Sequence, residues 1–279
     1  MDRSGTMTMQ RRAVLRALGA AFAGAALPAH TALANQRRIA LVIGNSAYKN
    51  APLKNPVGDS NAVAASLEKL GYGVTLRQNT TLRDMLESLR EFSLRAATSS
   101  VRLLFYAGHG VQAKGRNYLL PVDTDPQSED EIAAKAADAG EFIDRLSAIK
   151  HGTNIVVLDA CRVNPFIDGV IVGPDGRRLK FRGSTPTGLA ALDAPVGTLV
   201  AFSTAPNGVA LDGPSGKHSI YVKHLLTHIE TPGLPIEQLF KKIRIGVAEE
   251  TQRVQVPWES SSLTSEFCFK AGNQGRCGV

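Results

Sequence analysis

The chain has 279 residues, 32 Lys and Arg against 25 Asp and Glu, and only three cysteines. Its net charge of +7 is spread along the chain without interleaved aromatics, which describes a solvated surface and excludes a concentrated nucleic-acid footprint. Three dispersed cysteines are too few for a disulfide scaffold, and with the histidines they form no zinc-like cluster.

Residues 1–34 read as a signal peptide. Arg11-Arg12 is followed by an Ala/Leu/Gly-rich run broken only by Arg16, and Ala32-Leu33-Ala34 supplies a small-x-small cleavage pattern. The apolar run from Leu18 to Leu27 is shorter than the roughly 20 residues of a membrane span, so removal rather than a stable membrane anchor is expected. R-R-A-V-L-R resembles a twin-arginine export signal; an ordinary secretory signal is the alternative. Both place the product outside the cytoplasm, periplasmic or extracellular. Cleavage after Ala34 leaves 245 residues with a net charge of +4, a length that suits one α/β domain. In an oxidising compartment Cys268 and Cys277 can either close a short disulfide loop or stay reduced, and Cys161 is the odd thiol.

Along the chain, short β-branched runs alternate with amphipathic stretches, the pattern of a mostly parallel sheet with helices on both faces. Arg38–Gly44 is the first strand and barely alternates, as a strand buried on both faces should. A helix over 60–70 stops at Gly71. Gly73–Arg77 is the second strand, and Thr81–Ala96 is a helix with Leu82, Met85, Leu86, Leu89 and Phe92 on one side. Val101–Tyr106 is the third strand and runs into Ala107-Gly108-His109-Gly110. After a polar segment around 117–123, a helix is expected from Glu131 to Ile149. Asn154–Leu158 is the fourth strand and runs into Asp159-Ala160-Cys161. Residues 162–196 show no periodicity and read as one long loop. Thr198–Ser203 is a fifth strand, His218–Ile229 and Ile236–Thr251 are helices, and a short strand near Val254–Trp258 closes a six-stranded sheet.

Two residues stand out chemically. His109 and Cys161 follow different strands by the same short offset, and in an open α/β sheet ligands bind beyond the carboxyl ends of the strands. A cysteine nucleophile needs a base within hydrogen-bond reach and backbone amides aimed at the developing oxyanion. His109 supplies the base, and the amides of Gly110 and Cys161 supply an oxyanion hole. Each residue alone is more often a turn histidine or a small buried hydrophobe. Together, with His109 lying 52 residues before Cys161, they read as a catalytic pair.

F-Y-A-G-H-G at 105–110 and L-D-A-C-R at 158–162 resemble the histidine and cysteine motifs of the caspase-like cysteine peptidases, the family of caspases, metacaspases and paracaspases. V-I-G-N-S-A-Y at 42–48 and L-K-N-P-V-G-D-S-N-A-V at 53–63 resemble the start of their catalytic domain, and the likeness runs from Arg38 to about Thr251. The resemblance implies a caspase-like α/β sandwich over 35–253, with 162–196 as an inter-subunit-like loop and 254–279 as a C-terminal strand and tail. It also implies a cysteine endopeptidase of the bacterial metacaspase type, working by a Cys-His dyad through a thioacyl-enzyme on protein or peptide substrates.

Asp159, two residues before the cysteine, matches the members that accept Arg or Lys at P1. Asp59 matches an acidic pocket residue of the metacaspase N-terminal motif, and Asp212 aligns with the arginine by which caspases bind aspartate. Three carboxylates would hold a guanidinium and repel an acidic side chain. As single residues they could equally serve turns or caps, Asp59 above all, just before a helix. No cofactor or metal is expected; calcium activation enters only through the resemblance, since no D-x-D-x-D-G loop is present. Arg177, Arg178, Lys180 and Arg182 in the long loop offer basic sites for self-cleavage or simply a solvated basic loop. The resemblance leans to a monomer. The rival functions are a catalytically silent caspase-like interaction domain and an α/β hydrolase, which lacks its G-x-S-x-G elbow here.

Overall fold

In the computed structural model β1 is Arg38–Gly44, followed by α1 (Pro56–Lys69), β2 (Gly73–Gln78), α2 (Leu82–Ala96) and the long β3 (Val101–Ala113). Then come β4 (Arg116–Leu119), α3 (Glu129–Lys135), β5 (Ala137–Asp138), α4 (Ala139–Ser147) and β6 (Thr153–Cys161). The chain continues through β7 (Asp168–Val172), β8 (Arg178–Arg182), β9 (Thr198–Phe202), α5 (Ile220–His228), α6 (Ile236–Glu250) and β10 (Trp258–Ser261). The structure describes residues 37–161, 168–172, 178–182, 192–206, 208, 210–214, 216–272 and 277; of 161, 168–172 and 178–182 it describes the backbone. The signal peptide expected over 1–34 lies outside these residues.

The main sheet runs β2-β1-β3-β6-β9-β10. The first five strands are parallel and β10 closes the edge antiparallel to β9. The expected mostly parallel α/β architecture is therefore observed, with six strands in the main run and β4 and β5 extending it to eight through the far end of β3. Because side chains alternate along a strand, each central strand feeds two cores. Ala40, Val42, Leu103, Phe105, Ile155, Val157, Leu199 and Ala201 pack with α1, α5 and α6. Ile39, Leu41, Ile43, Leu104, Tyr106, Val156, Leu158, Val200 and Phe202 pack with α2 and α4. Burial on both faces is why these strands read as unbroken apolar runs.

Four sequence expectations are corrected. The third and fourth strands do not stop at Tyr106 and Leu158. β3 continues through the glycine-histidine motif and folds back as a hairpin with β4, and β6 continues through Cys161. The expected helix over 131–149 is two helices separated by β5, which pairs with β4. The first ends at Ala136, and Asp138 caps the second, its side chain accepting from Glu141 N at 3.0 Å. The stretch 162–196 contains an antiparallel hairpin of β7 and β8, so Arg178, Lys180 and Arg182 lie in a paired strand rather than an open loop; Arg177 lies outside the described residues. The closing strand starts at Trp258, four residues later than expected.

The C-terminal segment is part of the domain. Phe267 and Phe269 belong to the α1/α5/α6 core, Ile236 donates to the carbonyl of Phe267, and Cys268 forms a disulfide with Cys277.

The start of α1 is pressed directly on β1. A methyl group at Gly44 would overlap Ser60 Oγ and the carbonyl of Pro56, so glycine is required by close approach there. Gly44→Ala is expected to lower stability by about 1–3 kcal/mol, read as a lower urea midpoint with unchanged slope; an unchanged midpoint would contradict this packing.

Candidate active site

The parallel register of β3 and β6 sets Ala107 beside Asp159 and His109 beside Cys161. The two motifs therefore meet as neighbours at the carboxyl edge of the sheet, which is the position that their equal offsets implied.

His109 is half-buried and held from two directions. Its Nε2 lies 2.7 Å from the carbonyl oxygen of Ala51, and since a carbonyl only accepts, Nε2 carries the proton and donates it. In the neutral imidazole Nδ1 is then the free base. The Tyr48 ring packs against the imidazole with centroids 4.3 Å apart, and Tyr48 Oη accepts from His109 N at 2.9 Å. Tyr48 Oη in turn donates to Leu120 O at 3.1 Å, and buried Tyr106 Oη donates to His109 O at 2.7 Å. Gly108 makes this possible, because a Cβ there would lie 2.6 Å from Tyr48 Oη and 2.7 Å from Tyr106 Oη. Burial holds His109 below the ordinary imidazole range, opposed by the bond to Ala51 and the charge of Asp212.

The pairing of the hairpin sets the direction of the Gly110 amide. Leu120 N donates to His109 O, which makes Gly110–Leu119 the non-hydrogen-bonded pair of the hairpin. The Gly110 amide is thus turned away from β4, toward the side of β3 on which β6 ends in Cys161.

The three aspartates converge on one pocket, lined also by Leu53, Ala107, Gly108 and Ser219. Asp59, in the first turn of α1, does not cap the helix: its carboxylate accepts from Ser219 N at 3.2 Å and from His218 Nδ1 at 2.7 Å. Asp159, at the end of β6, accepts from Ser219 Oγ at 2.6 Å. Half-buried Asp212 accepts from Lys54 N at 2.8 Å. Burial, reinforced by the charge of Asp59, pushes Asp159 up to about 7, against the bond from Ser219. Burial also raises Asp59, against its bonds from Ser219 and His218. A pocket whose carboxylates resist ionisation is one that gains by receiving a cation.

Sequence reasoning missed four participants. Ser219 caps α5 by accepting from Val222 N at 3.0 Å while bridging Asp59 and Asp159. A serine directly before the apolar Ile220-Tyr221-Val222 is a helix-start signal, so this one was available. The carbonyl of Ala51, Tyr48 and His218 carry no such signal, because their roles depend on where loops fold back. Tyr48→Phe removes the hydroxyl that links His109 N to Leu120 O; it is expected to lower kcat about tenfold and stability by about 1 kcal/mol. Unchanged kcat would show that the ring alone holds His109.

Among the described residues no group of three or more His, Cys, Asp or Glu is arranged to hold a metal ion, and no helix is long and apolar enough to cross a membrane.

The fold and the site define a caspase-type α/β domain. The family model described as "Caspase domain" matches residues 37–268, and the chain belongs to that family. It is 27% identical over 173 residues to human mucosa-associated lymphoid tissue lymphoma translocation protein 1, covering 62% of this chain and 20% of that protein. It is 27% identical over 254 residues to pig caspase-1, covering 85% of this chain and 60% of the relative. Mouse caspase-1 is 23% identical over 256 residues, with the same coverage. The chain thus spans between a fifth and three fifths of the length of these relatives.

Proposed function

We propose that this chain is an exported cysteine endopeptidase that cuts proteins after Arg or Lys, with Cys161 as nucleophile and His109 as its base. The observation that carries this reading is the pocket in which Asp59, Asp159 and Asp212 converge beside the register-matched His109 and Cys161.

In this mechanism the Cys161 thiol gives its proton to His109 Nδ1, and the thiolate attacks the scissile carbonyl carbon. The oxyanion is held by the amides of Gly110 and Cys161. Collapse breaks the C–N bond, with the imidazolium protonating the leaving amine. His109 then takes a proton from water, which hydrolyses the thioester and frees Cys161. The bond from Nε2 to Ala51 O supports this sequence, since it keeps one tautomer and leaves Nδ1 to cycle.

The P1 cation would enter between Asp159 and Asp59, which Ser219 already holds side by side. A fluorogenic panel varying only P1 tests the specificity. Arg and Lys are expected to exceed Asp in kcat/KM by at least about 10²; a preference for Asp would overturn the reading of the pocket.

A further inference from the structure

His218 is bonded to one of the three carboxylates of the pocket. Its Nδ1 lies 2.7 Å from Oδ1 of Asp59, a carboxylate only 1% exposed, while the imidazole itself remains 37% exposed and open to protons from solvent. A buried carboxylate without a cation is costly, and the other acidic side chains on this pocket, Asp159 from β6 and Asp212 from the loop before α5, supply none. Lys54 presents its backbone N–H to Asp212, and Lys217, which precedes His218, is exposed. Among the described side chains bonded to Asp59, His218 is the one that can turn positive, while His109 faces Asp212 instead.

We propose that His218 is a proton-dependent counter-ion of Asp59 that competes with the basic P1 side chain and so sets the pH range over which the pocket accepts it. The inference rests on the basic-P1 reading. Imidazole is the side chain whose charge changes between about pH 5 and 8. When the His218–Asp59 pair binds a proton its net charge falls from −1 to zero, wherever in the pair the proton resides. The attraction for a guanidinium falls with it. When the proton leaves, Asp59 keeps its bond from Nδ1–H and regains a full charge for the substrate. By linkage, binding of the cation must expel the proton, and a proton must expel the cation. The sign is fixed: P1 affinity is lost as pH falls. Asp159 titrates in the same direction, but it is common to the wild-type protein and to any His218 variant.

The test is KM and kcat for an arginyl substrate from pH 5 to 8.5, in the wild-type chain and in His218→Gln, whose amide can still donate to Asp59 without titrating. On the acid side the wild-type KM is expected to rise by up to about tenfold per pH unit. In His218→Gln, where Asp159 still titrates but the His218–Asp59 pair does not, the rise should be at least about threefold smaller at pH 5.5, with the change confined to KM. Coincident profiles would overturn the proposal. A P1 panel at pH 8 separates the two layers: preference for Arg with coincident profiles sinks the role of His218 alone, whereas preference for Asp sinks the pocket reading itself.

Should the variant fail to fold, NMR titration of the His218 imidazole in the Cys161→Ala protein gives a second readout. An arginine-P1 peptide is expected to lower its midpoint by at least about half a pH unit, and an unmoved midpoint would overturn the proposal.

Discussion

Cys161→Ala is expected to abolish hydrolysis of an arginyl substrate, and His109→Ala to lower kcat by about 10³ or more. The two losses should not add, because nucleophile and base act as one unit and the double variant should match the weaker single one. Neither change should unfold the protein. His109 lies at the sheet edge, held through its backbone by Tyr48 and Tyr106, and those bonds do not involve the imidazole. Burst kinetics and thermal melts on the same preparations check both statements. Residual kcat in His109→Ala within tenfold of wild type would remove His109 from the chemistry.

Asp159→Asn is expected to separate function from stability. The substitution keeps the shape that accepts from Ser219 Oγ but removes the charge meant for P1. For an arginyl substrate kcat/KM should fall about 10²-fold, mostly in KM. Stability should move the other way. Burial, with the nearby charge of Asp59, raises Asp159 from an ordinary carboxylate value to about 7, so the folded state resists its ionisation. The stability present below about pH 4 is then lost as pH rises through about 7, by an amount on the order of 4 kcal/mol. The asparagine variant lacks that slope, so its advantage in urea midpoint over wild type should grow from pH 5 to pH 8. A wild-type protein whose stability is flat across that range would contradict the assignment of an ionisation-resistant Asp159. Sites that hold unneutralised charge for a ligand commonly cost stability in this way.

The strands and the meeting of His109 with Cys161 were legible because their signals are local. β1, β3 and β6 announce themselves as apolar β-branched runs, and the equal offset from Tyr106 to His109 and from Leu158 to Cys161 became a literal register in the sheet. What local periodicity hid was continuity. The third strand read as ending at Tyr106, before the glycines around His109, yet Gly108 is glycine because two tyrosine hydroxyls pass over it, and the strand runs on into a hairpin. The helix over 131–149 looked continuous because Ile132, Phe142, Ile143 and Leu146 are all buried, but they serve different clusters on either side of β5. The hairpin in 162–196 was readable: D-G-V-I-V is β-branched and R-L-K-F-R alternates with period two. The three aspartates could be matched to a pocket by resemblance, but their connection could not. Ser219 and His218 lie about 160 residues from Asp59 in sequence, and only the packing of α5 against α1 brings them together.

The central claim is that Cys161 is a nucleophile served by His109 beside a pocket for a basic side chain. An arginyl chloromethyl ketone or acyloxymethyl ketone applied to the intact chain, followed by peptide mass spectrometry, tests all three parts at once. The account predicts stoichiometric alkylation of Cys161, slowed at least about 10²-fold in His109→Ala and in the presence of excess arginyl peptide, with an aspartyl probe of the same warhead unreactive. Equal labelling of Cys161 by both probes, or labelling that is indifferent to His109, would contradict it.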